Sequence, residues 1–359
     1  MQPINVWEGR EVVAEAGPVS KIMRHSTMSF FFFAFLITWT GWSLAPAVAQ
    51  FGPHFSAFVR LIGSFGPAFS AIIISRILNP ASSGASATKR GITFAIIFVA
   101  SFFVQLLATY VVGGSISYQT VLFAILGAVI AGYVASCVYH PKQGVAQLMA
   151  GLNRTTVRSL WIWAALLLPF AWQFLGAAVD LSLGGNEWFS LTPGILVSLV
   201  GYYPFIVFFG GGLNEEPGWR GFVVPRLQRS YSPLLTGLII GVIWSTWHFP
   251  LHATGVIEGG LASFPFRFLY NVPLGVLFSW LYNRSDGDLF ACVLLHASYN
   301  SASTIFGNSS ALISMILMIV FTVTVAGYDK MWRKEPIPQL QTINPTMTAN
   351  PTKMQRSLL

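Results

Sequence analysis

Charge is what this sequence lacks. Only 9% of its 359 residues are Asp, Glu, Lys or Arg, against 54% that are hydrophobic. Soluble domains carry roughly 25% charged residues, so a scarcity of this degree excludes an ordinary water-soluble globule. Cysteine is nearly absent too. Cys137 and Cys292 are the two, both inside apolar runs, which excludes a disulfide framework and reads as small buried hydrophobes. The chain also has no H-E-x-x-H zinc helix, no G-x-G-D sequence, no phosphate-binding P-loop and no Gly-rich dinucleotide turn. Its net charge of +8 comes from short loops between apolar runs. That placement makes it a topology signal, and no nucleic-acid partner is expected.

What is present is a succession of apolar runs of about 20 residues, the length that crosses a bilayer. The expected fold is an all-α polytopic membrane protein, with about 8–10 transmembrane helices surrounding a polar intramembrane cavity. Residues 1–27 read as a polar cytoplasmic tail. The first apolar run, Met28 to Ala47, is as long as a full span, so no cleavable signal peptide is expected. Residues 28–192 hold the N-terminal transmembrane helices. A second region, 193–306, holds an interrupted run from Pro193 to Leu227 and runs near 233–249, 264–282 and 289–306. Residues 307–334 form the last helix and its basic flank. The tail 335–359 is rich in Pro, Thr, Asn and Gln and reads as disordered. Lys89 and Arg90, then Lys142, Arg154 and Arg158, then Arg226 and Arg229 mark alternate loops. The loops between them carry Asp180 and Glu187 or no charge. The positive-inside bias then puts both termini in the cytoplasm of a multi-pass protein whose surroundings are the lipid bilayer.

The stretch Gly210 to Arg220, G-G-G-L-N-E-E-P-G-W-R, breaks the apolar pattern. Three glycines weaken a helix by roughly 1 kcal/mol each relative to alanine. Asn214 is a good N-cap, the two acids suit a first turn, and Pro217 is tolerated there. The reading is a broken span restarting at Asn214, and irregular backbone at membrane depth must be buried or line a watery cavity. Glu216 and Arg220 are i, i+4 and pair on one face, leaving Glu215 free, with water access, as a candidate general base. A buried Glu–Arg pair that only fixes helix packing is the plainer alternative.

Two further spans carry strongly polar residues. Trp244-Ser-Thr-Trp-His248 ends an aromatic helix, which Pro250 stops, and His252 follows as an interfacial residue. His296-Ala-Ser-Tyr-Asn300 places an imidazole and an amide on one helix face, able to orient a water or donate to an oxyanion. Either could equally make interhelical hydrogen bonds. Few other strongly polar residues lie inside spans, so one shared cavity is a more economical reading than three unrelated buried sites.

Glu215-Glu216-x-x-x-Arg220, the aromatic-x-x-x-His of Trp244 to His248, and His296-x-x-x-Asn300 together resemble the three motifs of the CPBP family. That family includes the Rce1-type CAAX prenyl proteases and the Abi proteins of bacteriocin processing and immunity. The resemblance spans about Pro193 to Ala302, and Trp244 stands where the second motif usually has Phe. It implies a membrane-embedded endopeptidase in which Glu215, helped by His248, activates water. His296 and Asn300 would stabilise the oxyanion, while Glu216 and Arg220 hold the site's geometry. Members are often called metalloproteases, so zinc is a candidate cofactor, although water activated directly by glutamate and histidine accounts for the same residues. The E-E-P-G-W-R form looks bacterial, which favours a peptide or protein substrate of leader-peptide type over a prenylated one. The alternative from another class is a non-enzymatic immunity protein or transporter using the same cavity. Against a transporter, no second broken span is evident in the first half.

Overall fold

A computed structural model describes residues 17–153, 160–184, 193–306 and 311–334. Regular structure among the described residues is helical, with one isolated antiparallel bridge between Ser82 and Lys142. The first half comprises α1 (Pro18–Arg24), α2 (Ser26–Val48), α3 (Pro53–Ser64), α4 (Gly66–Leu78), α5 (Ala87–Gly113), α6 (Tyr118–Ser136), α7 (Gln143–Met149) and α8 (Leu160–Ser182). Then come α9 (Pro193–Phe209), α10 (Gly212–Glu216), a π-helical turn Pro217–Val223, α11 (Val224–Leu227), α12 (Pro233–Trp247) and α13 (Phe249–Ala253). The chain closes with α14 (Gly260–Arg284), α15 (Leu289–Phe306) and α16 (Ala311–Tyr328). The tails 1–16 and 335–359, with Arg154, Arg158 and Glu187, lie outside the described residues.

Seven of the described helices are long and apolar enough to cross a membrane, and the α3–α4 pair makes an eighth if counted as one span. Helices satisfy their own backbone, the condition for crossing hydrocarbon. Large side chains such as Phe32, Ile96, Phe103 and Val323 stand exposed on the outside, where lipid covers them. Small residues line the interior, including Ala34, Ala68, Ala71, Ala128 and Ala131. This distribution suits membrane helices, whose association depends on close backbone approach. The α12–α14 pair shows why. A side chain on Gly237 would meet the Val276 backbone at 2.6 Å, and one on Gly241 would meet that of Val272 at 2.6 Å.

The structure differs from the sequence reading at both breaks. The helix after the glycine run restarts at Gly212, so Asn214 lies inside its first turn. Asn214 Oδ1 reaches back to accept the Gly211 N–H at 2.8 Å, capping the turn from within. A second broken helix also exists. α3 and α4 meet at Phe65 with a 42° bend, where Gly66 and Pro67 open α4. The two breaks pack together: Asn214 Nδ2 donates to the Ser64 carbonyl at 3.3 Å. Gly218 sits so close to Pro67 that a Cβ would lie 2.6 Å from it.

Candidate active site

The three polar stretches meet around the restarted helix. Gly210 ends the α9 hydrogen-bonding pattern, and Gly211 takes φ +123°, a conformation that favours glycine. This turn aims α10 inward. Glu215 and Glu216 leave it on different faces and are both buried, at 6% and 0% exposure.

Glu216 is shared rather than paired once. Its Oε1 accepts from Arg220 Nη1 at 2.9 Å and from His296 Nδ1 at 2.6 Å. The Arg220 guanidinium lies 3.6 Å over the Phe278 ring and 4.8 Å over Trp244. Glu216 Oε2 and Arg220 Nε and Nη2 are enclosed with no partner among the described residues. The carboxylate fixes the His296 tautomer: Nδ1 carries the proton, and Nε2 faces Gly211,.

Glu215 is not free, as the i, i+4 spacing suggested. Its Oε2 accepts from Trp244 Nε1 at 2.8 Å and Trp219 Nε1 at 3.2 Å. The other oxygen, Oε1, has no hydrogen-bond partner among the described residues. Two indoles thus hold the carboxylate in place.

His248 caps α12, and its Nδ1 bonds the Trp244 carbonyl at 2.7 Å. A carbonyl only accepts, so Nδ1 donates and Nε2 keeps its lone pair. Rings of Trp42, Trp244 and Trp247 surround the imidazole, with centroids 4.8–5.9 Å away. Asn300 donates from Nδ2 to the Gly210 carbonyl at 2.9 Å, tying α15 to the broken turn. Its side-chain carbonyl oxygen has no partner among the described residues.

His252 stands apart. Expected at the interface, it is buried at 2% exposure, and its Nδ1 faces the Gly260 carbonyl and Ser263 hydroxyl. Pro250 does not end the helical course either, because it fits the first turn of α13, where its missing N–H costs nothing.

The donor set does not fit a zinc ion. Among the described residues no group of three or more His, Cys, Asp or Glu side chains could hold a metal. A three-ligand catalytic zinc site needs such a group. Here Glu216 Oε1 is taken by a guanidinium and an imidazole, and Glu215 Oε2 by two indoles.

Two contributors went unnoticed in the sequence. Trp219 donates to Glu215, and Phe278 supports Arg220. These aromatic residues carried no readable signal, because this chain has 12 tryptophans and 30 phenylalanines.

A cavity of about 520 Å³ reaches the edge of this cluster, lined in part by Trp42, Arg60, Ser64, Phe209, Gly210 and Leu251. Its other walls include His54 beside the α2–α3 turn, Thr120 at the start of α6 and Val256 in the α13–α14 turn. It therefore opens at the end of the bundle opposite the Lys/Arg-bearing loops.

Comparison with known proteins finds similarity over the segment that carries these residues. The family description "Type II CAAX prenyl endopeptidase Rce1-like" matches residues 196–302. A protein named CAAX prenyl protease 2, from Methanococcus maripaludis, is 23% identical over 124 residues. That alignment covers 32% of this chain and 46% of the relative, so the chain matches about half the relative's length. All three motifs fall inside the matched segment of this multi-pass helical membrane protein, and it is over that segment that the chain is similar to the Rce1-like family.

Proposed function

We propose that this protein is an intramembrane endopeptidase that hydrolyses a peptide bond near the membrane face, using water activated by Glu215 and His248. The observation that carries this reading is the pair of open acceptors. Glu215 Oε1 and His248 Nε2 both lack a partner among the described residues, while the rest of each side chain is held firmly. A water between them would give one proton to Glu215 and direct its second hydrogen to His248 as its oxygen attacks the scissile carbonyl carbon. The carbonyl π electrons move onto oxygen, and that oxyanion accepts from the second Asn300 Nδ2–H, beside the His296 imidazole that Glu216 holds,. The C–N bond then breaks, and Glu215 returns its proton to the leaving amine. No step needs a metal.

The relative is named a CAAX prenyl protease, and the substrate proposed for this chain is a peptide or protein. With both termini cytoplasmic, as the loop charges indicate, the 520 Å³ cavity opens on the opposite side. Substrate and water would approach from there.

The test is Glu215→Gln in purified, full-length protein. Gln keeps the size and can still accept from both indoles, so folding and the unfolding temperature are expected to hold while peptide cleavage falls by at least about 10²-fold. Retained cleavage would overturn the reading. The second broken helix at Phe65 favours one competitor, a transporter built on paired broken spans. Substrate accumulation in sealed vesicles, unchanged by Glu215→Gln and without peptide products, would select it.

A further inference from the structure

A second cavity, of about 740 Å³, lies at the other end of the bundle from the one described above. Its walls come from helix ends: Met23 in α1, Leu78 closing α4, Tyr282 late in α14 and Leu289 opening α15. Two cations, Arg226 and Arg229, line it as well. This is the end that carries the basic loops, the cytoplasmic end by the positive-inside bias. The volume falls in the range of about 300–1,000 Å³ typical of small-molecule sites. The hydrolysis described above uses none of these residues.

Arg226 is not a loose surface cation. Its Nη1 donates to the Phe222 carbonyl at 2.9 Å, and the guanidinium lies 3.5 Å over the Phe222 ring. The Arg229 N–H donates to the Arg226 carbonyl at 3.3 Å, so the helical turn continues and the two arginines stand i, i+3 on one face. Like charges held side by side repel, and an anion between them removes that cost. No Asp or Glu lines the cavity among the described residues. Asp286 and Asp288 flank the wall residue Gly287 without lining it, and Asp288 Oδ1 is engaged in capping α15, where it accepts the Ala291 N–H at 3.0 Å. The walls are firm, since a Cβ on Gly151, after α7, would lie 2.7 Å from the Gly287 carbonyl oxygen. A small hydrophilic anion would use only the arginines. A lipid headgroup would use them and also cover the apolar wall, and basic pockets between membrane helices on the cytoplasmic side suit such headgroups.

We propose that this cavity binds the headgroup of an anionic bilayer phospholipid. Arg226 and Arg229 hold the phosphate, and Met23, Leu78 and Leu289 cover the glycerol and upper acyl chain. The wall also includes Gly221, the neighbour of Arg220 in the chain. A bound lipid therefore backs the π-helical turn that carries Trp219 and Arg220. The site is separate from the hydrolytic one, and its occupancy does not depend on what that site does.

The experiment uses full-length protein, delipidated in a neutral detergent. Phosphatidylglycerol or phosphatidylcholine with the same acyl chains is added, and bound lipid is counted by native mass spectrometry. Phosphatidylglycerol should bind in preference to phosphatidylcholine. Arg226→Gln/Arg229→Gln should lower its affinity about tenfold or more. Lys89→Gln/Arg90→Gln removes a basic pair at the same end but outside the lining, and should leave the affinity unchanged. Arg229 is exposed, so Arg229→Gln alone keeps the fold even if Arg226 is needed for it, and should lose part of the affinity. Equal binding of the two lipids, no binding of either, equal losses in both variant pairs, or no loss overturns the proposal. Inorganic phosphate at the lipid's concentration should not displace it. If it does, the cavity takes a free anion and the lipid assignment fails. Residues 1–16 carry Glu8, Glu11 and Glu15. Lipid binding that appears only in Glu8→Gln/Glu11→Gln/Glu15→Gln would assign the cavity to the chain's own acids and overturn the proposal as well.

Discussion

Glu216 illustrates how much one buried atom can do. Its Oε1 accepts from both a guanidinium and an imidazole, so it sets the Arg220 position and the His296 tautomer together. Glu216→Gln leaves Arg220 buried, at 0% exposure, opposite a neutral group. Breaking a buried pair this way typically costs about 3–5 kcal/mol. A clear drop in unfolding temperature is therefore expected, together with loss of cleavage. Glu216→Gln/Arg220→Met removes the stranded charge and should recover most of the stability. Cleavage should not return, because His296 still lacks its carboxylate. Thermal unfolding and a peptide assay on the same preparations separate the two effects, and recovered cleavage in the double variant would refute the orienting role.

At the scale of elements, the site depends on helices that approach unusually closely. α12 carries Trp244 and His248, and its course is fixed by Gly237 and Gly241 against α14, where Gly275 would meet the Gly237 carbonyl at 2.5 Å if it bore a Cβ. Gly241→Leu must push the two helices apart, and overpacking commonly costs about 1–3 kcal/mol or more. Trp244 would then move off Glu215. Loss of cleavage and a lower unfolding temperature are expected, whereas Leu at Gly91, where a Cβ meets nothing, should change neither. The breaks belong to this scale as well. Gly210-Gly211-Gly212 was legible as a break because glycine runs defeat helices. Gly63-Ser-Phe-Gly-Pro67 was not, because each of its residues is tolerated in an apolar helix, and the 42° bend follows only from packing against α10 and the turn after it.

For the whole molecule, the alternation of basic loops predicts which side each turn occupies. Cysteine placed at Ser83, beside Lys89 and Arg90, should be shielded from a membrane-impermeant maleimide in intact cells. Cysteine at His54, on the wall of the 520 Å³ cavity, should react. The native Cys137 and Cys292 are buried and give a low background. The reverse labelling pattern would place the cavity in the cytoplasm and overturn the proposed direction of substrate approach.

Sequence by itself determined the class of this protein. Sparse charge and repeated apolar runs admit only helices in lipid, and the three ordered motifs mark about Pro193 to Ala302, close to the 196–302 that the family description matches. It also marked Glu215, Glu216, Arg220, His248, His296 and Asn300 as the polar residues to watch, since ionisable and amide groups stand out against hydrocarbon. Only the tertiary structure decided their partners. Local spacing assigned Glu216 to Arg220 and left Glu215 alone, because i, i+4 geometry sees one helix at a time. His296 joins Glu216 from 80 residues away, and Trp244 joins Glu215 from 29 residues away. Which of many tryptophans donates, and which oxygen stays open, depends on helix crossings set by glycines whose own sequence neighbourhood says nothing about what they will touch.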